Sequence, residues 1–353
     1  MILQRYIAAS ILSSTLLVLL VLLGFLAFMD FVVELDDLGI GSYNLSDIAL
    51  YTLLSMPKRL YQLLPIAALI GTVLGLGSLA EKSELVAMRA AGISIQQINK
   101  AIMIVALCLM LIAMFVGEVL RPPAEQYARE VRSEARTGTV GSRTVHGFWA
   151  RDGLHFNHID RILSDGRFSG ISIYEFDSHY RLRVLTKAEE AQYEDDSWTL
   201  TNVVQSMIDE KGVNVRTIKH ARWKSKLNPG MLNIVIVPPE FLPVWSLMEY
   251  INYLKDNHQA VEQYQIAFWT KLLMPLNSVV MVFLAVPFVF GPLRSSSMGG
   301  RLFVAVLVGI GFHVFNQSFQ HIGLIFGVLP WLSAAIPTIS FALIGWYLMR
   351  RVY

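Results

Sequence analysis

Six long apolar runs punctuate the chain, at residues 6–33, 60–80, 98–120, 266–290, 302–324 and 328–349. A helix needs about 20 mostly apolar residues to cross the hydrocarbon core of a bilayer, and each run meets that length. The second run has an apolar extension upstream, Leu45–Met56, with Pro57 placed inside one kinked helix. Pro65, Pro275, Pro287, Pro330 and Pro337 also lie in or at the ends of runs, where neighbouring helices re-satisfy freed backbone groups. The first run continues from Tyr6 to Val33. The apolar core of a cleaved secretory signal spans only about 7–15 residues, so this one reads as a retained membrane helix.

Between the third and fourth runs the period changes from helical to alternating. Leu154–Ile159, Ser169–Phe176, Trp198–Val204, Val213–Ile218 and Leu232–Val237 alternate or are rich in β-branched and aromatic residues. Breakers separate them at Asp152-Gly153, Asp165-Gly166, Asp195-Asp196 and Lys211-Gly212, and Pro122-Pro123 and Pro238-Pro239 bracket the region. Short strands at such spacing predict an all-β sandwich, jelly roll or barrel. Ser246 and Glu249 form a capping-box pattern for an amphipathic helix running to about Asn257. The predicted layout is an α-helical integral membrane protein with an inserted all-β domain: residues 1–120, three spans; 121–265, the β domain with helical connectors; 266–353, three further spans.

Composition sharpens this picture. Only 16% of the 353 residues are charged and 54% are hydrophobic, against about 25% charged in soluble domains. The net charge of +2 comes with no basic stripe of a nucleic-acid binder. Cys108 is the sole cysteine, so no disulfide forms within the chain; its apolar surroundings predict inert burial. Lysines and arginines of short loops mark the inner face. With both termini inside, that face carries Arg5, Lys82, Arg89, Lys100, Arg294, Arg301, Arg350 and Arg351. The loop after the first span is acidic instead, with Glu34, Asp36, Asp37 and Asp47, while Lys58 and Arg59 depart from the rule. The β domain is therefore expected outside and the termini in the cytoplasm.

The sequence contains no G-x-x-x-x-G-K-[ST], G-x-S-x-G, H-E-x-x-H or C-x-x-C pattern, so phosphate-loop hydrolysis, an esterase elbow and a zinc site find no support. Three other constellations stand out. Residues 81–92 predict a short cytoplasmic helix between spans two and three, ended by Gly92. Its Glu84, Leu85, Met88 and Arg89 suit docking into a partner's groove, or else form a plain connecting turn. In span five, His313, Asn316, Gln317, Gln320 and His321 share one helical face. They point to interhelical hydrogen bonds, a partner or a wet cavity. Arg129, Arg132 and Arg136 share a face if span three continues as a helix, with Lys58, Arg59, Arg121 and Lys271 at similar depth. Such cations either snorkel to the interface or bind phosphates. Asp30 and Glu118 sit at membrane depth and require partners.

Tyr51–Lys58, Gly75–Gly92, Gly291–Arg294 and Met298–Arg301 resemble the lipopolysaccharide export permease family, and its G-type more than its F-type members. The resemblance covers the full length, including the Gly170–Phe176 strand. It implies a non-enzymatic permease subunit with a β-jellyroll in the periplasm, paired with an F-type paralogue in the bacterial inner membrane. It also implies a cytoplasmic ABC-type ATPase dimer that holds the ATP and magnesium, with no cofactor on this chain. A bitopic single-span partner with its own β-jellyroll completes the set, and lipopolysaccharide is the cargo. Glu84 matches the family's carboxylate that contacts the ATPase. Lys58, Arg129, Arg132, Arg136 and Lys271 would hold lipid phosphates, and His313, Asn316, Gln317 and Gln320 would face the cavity or its gate. One departure stands out: where relatives carry lysines at the outer end of span one, this chain has Asp30, Glu34, Asp36 and Asp37. Asp30 is expected to pair with a neighbouring arginine or to bind through a divalent cation. Two rival readings are a lipid-independent mechanotransmitter and an envelope enzyme built on His313 and His321.

Overall fold

A computed structural model describes residues 2–137, 147–163, 166–194, 197–209, 212–225, 238–290 and 297–351. Six helices among these are long and apolar enough to cross a membrane. They are α1 (Ile2–Glu34), α2 (Leu45–Glu81), α4 (Ile95–Phe115) with its continuation, α7 (Glu262–Phe290), α8 (Met298–Phe326) and α9 (Pro330–Arg350). The short α3 (Glu84–Ala90) joins α2 to α4. After α4 a π-helical turn, Val116–Leu120, leads directly into α5 (Arg121–Thr137), so the third span continues as a helix through all three arginines. Outside the spans, α6 covers Val244–Asp256.

Two compact units result. One comprises 1–38, 44–129 and 262–353; the other comprises 39–43 and 130–261.

Local chemistry accounts for the helix starts. Asn44 caps α2 by accepting from the Ser46 and Asp47 amides at 2.9 and 3.2 Å, and Asp47 accepts back from the Asn44 amide at 3.0 Å. Ser94 and Gln97 form the same box at α4. Pro57 and Pro65 both lie inside α2, as the upstream apolar run predicts. The expected Ser246 box is absent: α6 begins at Val244 behind Pro243, with no side-chain cap. Cys108 is exposed on α4 rather than buried.

The membrane unit packs around α2 and α7, which bury Ala67, Ala68, Leu69, Val73, Val282 and Ala285 among others. A strip on α1 closes against this core: Ile7, Ile11, Thr15, Val18 and Leu19 are buried at helical spacing. Elsewhere α1 exposes large apolar side chains, among them Leu16, Leu17, Leu20, Val21, Phe25, Phe28 and Val33.

In the other unit, β1 (Phe148–Asp152), β2 (His155–Ile162), β3 (Phe168–Phe176), β4 (Leu182–Glu194), β5 (Ser197–Asp209) and β6 (Gly212–Trp223) pair antiparallel in sequential order. The expected strand at Leu232–Val237 lies outside the described residues. One face of the sheet is apolar, with Ile159, Ile171, Ile173, Ala188, Leu200 and Val203 clustered around Trp198. Trp198 stacks on Phe168 at 4.0 Å between ring centroids. On α6, the Tyr253 hydroxyl donates to the Arg151 carbonyl at 2.6 Å. Burial pushes its phenol up to about 12, so it remains a protonated donor throughout the physiological range.

Candidate functional site

The short helix α3 carries the first cluster. Glu84 opens it and Arg89 stands in its last turn, a charge order that favours the helix dipole. The Tyr6 hydroxyl, in the second turn of α1, donates to Glu84 Oε2 at 2.8 Å. Leu85 and Met88, expected to meet a partner, are instead 4% and 9% exposed and join the chain's own core with Ile7, Ile11 and Ile98. A seven-residue amphipathic helix must bury its apolar side somewhere, and here it does so in the core that α1, α2 and α4 share. The surface it presents is Val86, Ala87, Arg89 and Ala90 together with the half-exposed Glu84.

The second cluster lies at the opposite ends of the spans. Arg59 grips Asp30 through Nε and Nη2 at 2.7 and 2.6 Å, a bidentate pair joining α1 to α2. Asp30 thus has the neighbouring arginine that its depth requires. Lys58 Nζ and Arg129 Nε both reach Glu125 Oε1, at 3.6 and 3.4 Å. Glu125 is buried, so one desolvated carboxylate holds two cations from α2 and α5 together. Lys271 Nζ lies 3.4 Å from Glu118 Oε1, with its side chain only 4% exposed. The Tyr61 hydroxyl donates to the Lys271 carbonyl at 3.3 Å, and the Arg121 guanidinium covers the Tyr61 ring at 5.2 Å. Of the five expected phosphate ligands, then, Lys58 and Arg129 come together, whereas Lys271 is sealed into an ion pair inside the bundle. Arg132 and Arg136 follow along α5, both half-buried.

The polar face of α8 turns outward. His313, Gln317 and His321 are exposed and Asn316 and Gln320 half-exposed. Among the described residues their side chains make no hydrogen bond. Polar groups on a spanning helix are costly against lipid, and this stripe requires a wet cavity or a second protein. Among the described residues no group of three or more His, Cys, Asp or Glu could hold a metal.

Two residues carrying this geometry escaped the sequence reading. Glu125 belongs to no motif singled out in the sequence, and Tyr6 stands there only as the first residue of an apolar run. Only the fold brings each to its partner, although Glu125 and Arg129 do stand at the i, i+4 spacing of a helical ion pair.

Comparison with known proteins follows the same lines. The family model described as lipopolysaccharide export system permease LptF/LptG matches residues 5–351. The chain is 37% identical over 354 residues to the lipopolysaccharide export system permease protein LptG of Escherichia coli K12, covering 99% of this chain and 98% of that one. It is 35% identical over 351 residues to the protein of the same name from Haemophilus influenzae, with 99% and 98% covered. Matched from end to end, with six spans around an inserted sheet, the chain belongs to the lipopolysaccharide export system permease LptF/LptG family.

Proposed function

We propose that this chain is a G-type transmembrane subunit of an ATP-driven machine that draws lipopolysaccharide from the outer leaflet of the inner membrane toward a periplasmic bridge. The observation that carries the reading is the match to LptG relatives along 99% of the chain. An F-type paralogue faces it across a shared cavity, and a bitopic partner packs near α1. The chain itself performs no catalytic step. A cytoplasmic ABC-type ATPase supplies ATP, magnesium and work. The termini lie in the cytoplasm and the sheet in the periplasm, a reading supported by the basic residues near the α3 turn.

In this arrangement α3 is the coupling element. Glu84, held by Tyr6, and Arg89 meet the ATPase, while Leu85 and Met88 transmit the displacement into the core in which they are buried. At the periplasmic end, Lys58, Arg129, Arg132 and Arg136 receive lipid phosphates. Glu125 supports this role by holding Lys58 and Arg129 in place, which lowers the entropy lost when phosphate binds. Lys271 is assigned to the bundle rather than to the lipid, because its ammonium is buried against Glu118. The polar face of α8 lines the cavity or its gate.

The test is purification of the tagged chain from native membranes in mild detergent. A phosphate-loop ATPase and lipopolysaccharide are expected to accompany it, and Glu84→Arg is expected to shed the ATPase. ATPase without lipid would favour the mechanotransmitter. Absence of both ATPase and lipopolysaccharide would overturn the reading. A milder companion is Tyr6→Phe, which deletes only the hydroxyl that orients Glu84. Loss of one such hydrogen bond is worth about 1 kcal/mol, so ATPase retention should weaken roughly fivefold as measured by titration in detergent.

A further inference from the structure

The last helix, α9, buries one face and leaves another bare. Ala334, Pro337, Thr338 and Gly345 are buried. Ile339, Leu343, Trp346 and Tyr347 are each about half exposed, and Arg350 and Arg351 are exposed. Ile339, Leu343, Trp346 and Arg350 fall at i, i+4, i+7 and i+11, one line along the helix, with Tyr347 and Arg351 beside it.

Both arginines are held over aromatic rings. The Arg350 guanidinium lies 3.7 Å from the centroid of the Trp346 ring. That of Arg351 lies 4.7 Å from the Tyr347 centroid, and its Nη2 donates to the Tyr347 hydroxyl. Each ring stands four residues before its arginine, the spacing at which helical side chains meet. Stacking occupies the flat side of a guanidinium and leaves its N–H edge free to donate, and that edge matches a phosphate. Among the described residues neither arginine forms an ion pair. Two adjacent cations without a carboxylate favour an anionic headgroup over a zwitterionic one, whose own cation they would repel.

Position selects a lipid as the source of the phosphate. At 21 residues, α9 is about 32 Å long, close to the hydrocarbon thickness of about 30 Å. Arg350 therefore stands at headgroup level, with Trp346 and Tyr347 at the interface where amphipathic rings settle. Met349 packs against the core that holds Leu85 and Met88, so this end lies beside α3, away from the Lys58 and Arg129 cluster. From the rings, Leu343 and Ile339 lead into the hydrocarbon on the same face as the cations, so one molecule meets both. A soluble anion would use the arginines and leave that apolar line uncovered. We propose that Arg350 and Arg351 bind the phosphate of an anionic phospholipid whose chain lies along Leu343 and Ile339. This site is independent of the transport reading above.

The test is thermal unfolding of the full-length protein in detergent, with phosphatidylglycerol, phosphatidylcholine or inorganic phosphate added, alongside native mass spectrometry of retained lipid. Phosphatidylglycerol is expected to protect at about tenfold lower concentration than phosphatidylcholine. Because both side chains are exposed, the double variant Arg350→Gln with Arg351→Gln should fold normally, lose that preference and retain less phosphatidylglycerol. Lysine at both positions should keep part of the preference, since it keeps the charge without the stacked donor edge. Equal protection by the two lipids in the unaltered protein would overturn the proposal. An undiminished preference in the glutamine variant would overturn it as well, by placing the anionic lipid elsewhere on the chain. Inorganic phosphate protecting as well as phosphatidylglycerol would replace the lipid with a soluble anion.

Discussion

Lys271→Met is expected to destabilise the membrane unit by about 3–5 kcal/mol, read as lower thermal and denaturant midpoints in detergent. The ammonium is 4% exposed and sits 3.4 Å from Glu118, so removing it strands a carboxylate inside the bundle. The π-helical turn Val116–Leu120 aims Glu118 at α7, and Gly117 beside it lets the Tyr61 ring approach, since a Cβ there would overlap that ring. Tyr61 in turn holds the Lys271 carbonyl. Breaking a buried pair from one side costs far more than the pair contributes. The double variant Lys271→Met with Glu118→Leu should accordingly recover most of the loss, a coupling that a double-mutant cycle resolves. A direct phosphate ligand would behave differently: its replacement would weaken lipid capture and leave stability of the lipid-free protein nearly unchanged. A single variant as stable as the parent would therefore return Lys271 to the group of phosphate ligands.

The contrast between Lys271 and Lys58 shows where sequence reasoning reaches its limit. Hydropathy runs disclosed all six spans, because a membrane helix advertises itself through consecutive apolar residues and needs no partner to be recognised. The sheet was nearly as legible through period-two alternation, and β2, β3, β5 and β6 fall on segments expected to be strands. Depth was legible too, since position within a run places Asp30, Lys58, Glu118 and Lys271 near one level. Pairing was not. Glu118 meets a lysine from α7 that no spacing announced, and although an arginine partner was one of two expectations for Asp30, no periodicity encodes which helix stands beside which. Orientation of α3 was equally hidden, because seven residues hold two turns, too few for a moment to show whether Leu85 and Met88 turn toward the core or away. Arg301 illustrates a third limit. It read only as one more inner-face cation, yet it is buried, with no hydrogen-bond partner for Nε and Nη1 among the described residues, and that is a property of the fold alone.

Gly71→Leu is expected to be the most damaging substitution in the first pair of helices, removing most of the folded protein recovered from membranes. Gly71 and Gly75 stand one turn apart on α2 and face α1. A Cβ on Gly71 would overlap the Thr15 backbone, and one on Gly75 would come within 2.9 Å of the Ile11 Cα and the Ser10 carbonyl. Close backbone approach over small residues is the main source of helix association in lipid, where burying apolar surface brings little gain. The seam also carries a Ser10 Oγ bond to the Gly75 carbonyl at 3.2 Å. Because the obstruction is backbone, no rotamer relieves it and the helices must separate, at a cost above the about 1–3 kcal/mol of ordinary overpacking. Gly24→Leu supplies the control: a Cβ there meets nothing within 4 Å, so expression and midpoint should stay within about 0.5 kcal/mol of the parent. Because α1 also brings Tyr6 to Glu84, displacing it should release the α3 carboxylate, and the small fraction of Gly71→Leu that folds should retain ATPase no better than Tyr6→Phe. Normal recovery and normal retention would mean that α1 is held by its apolar strip at Ile7 and Ile11 rather than by the glycine seam.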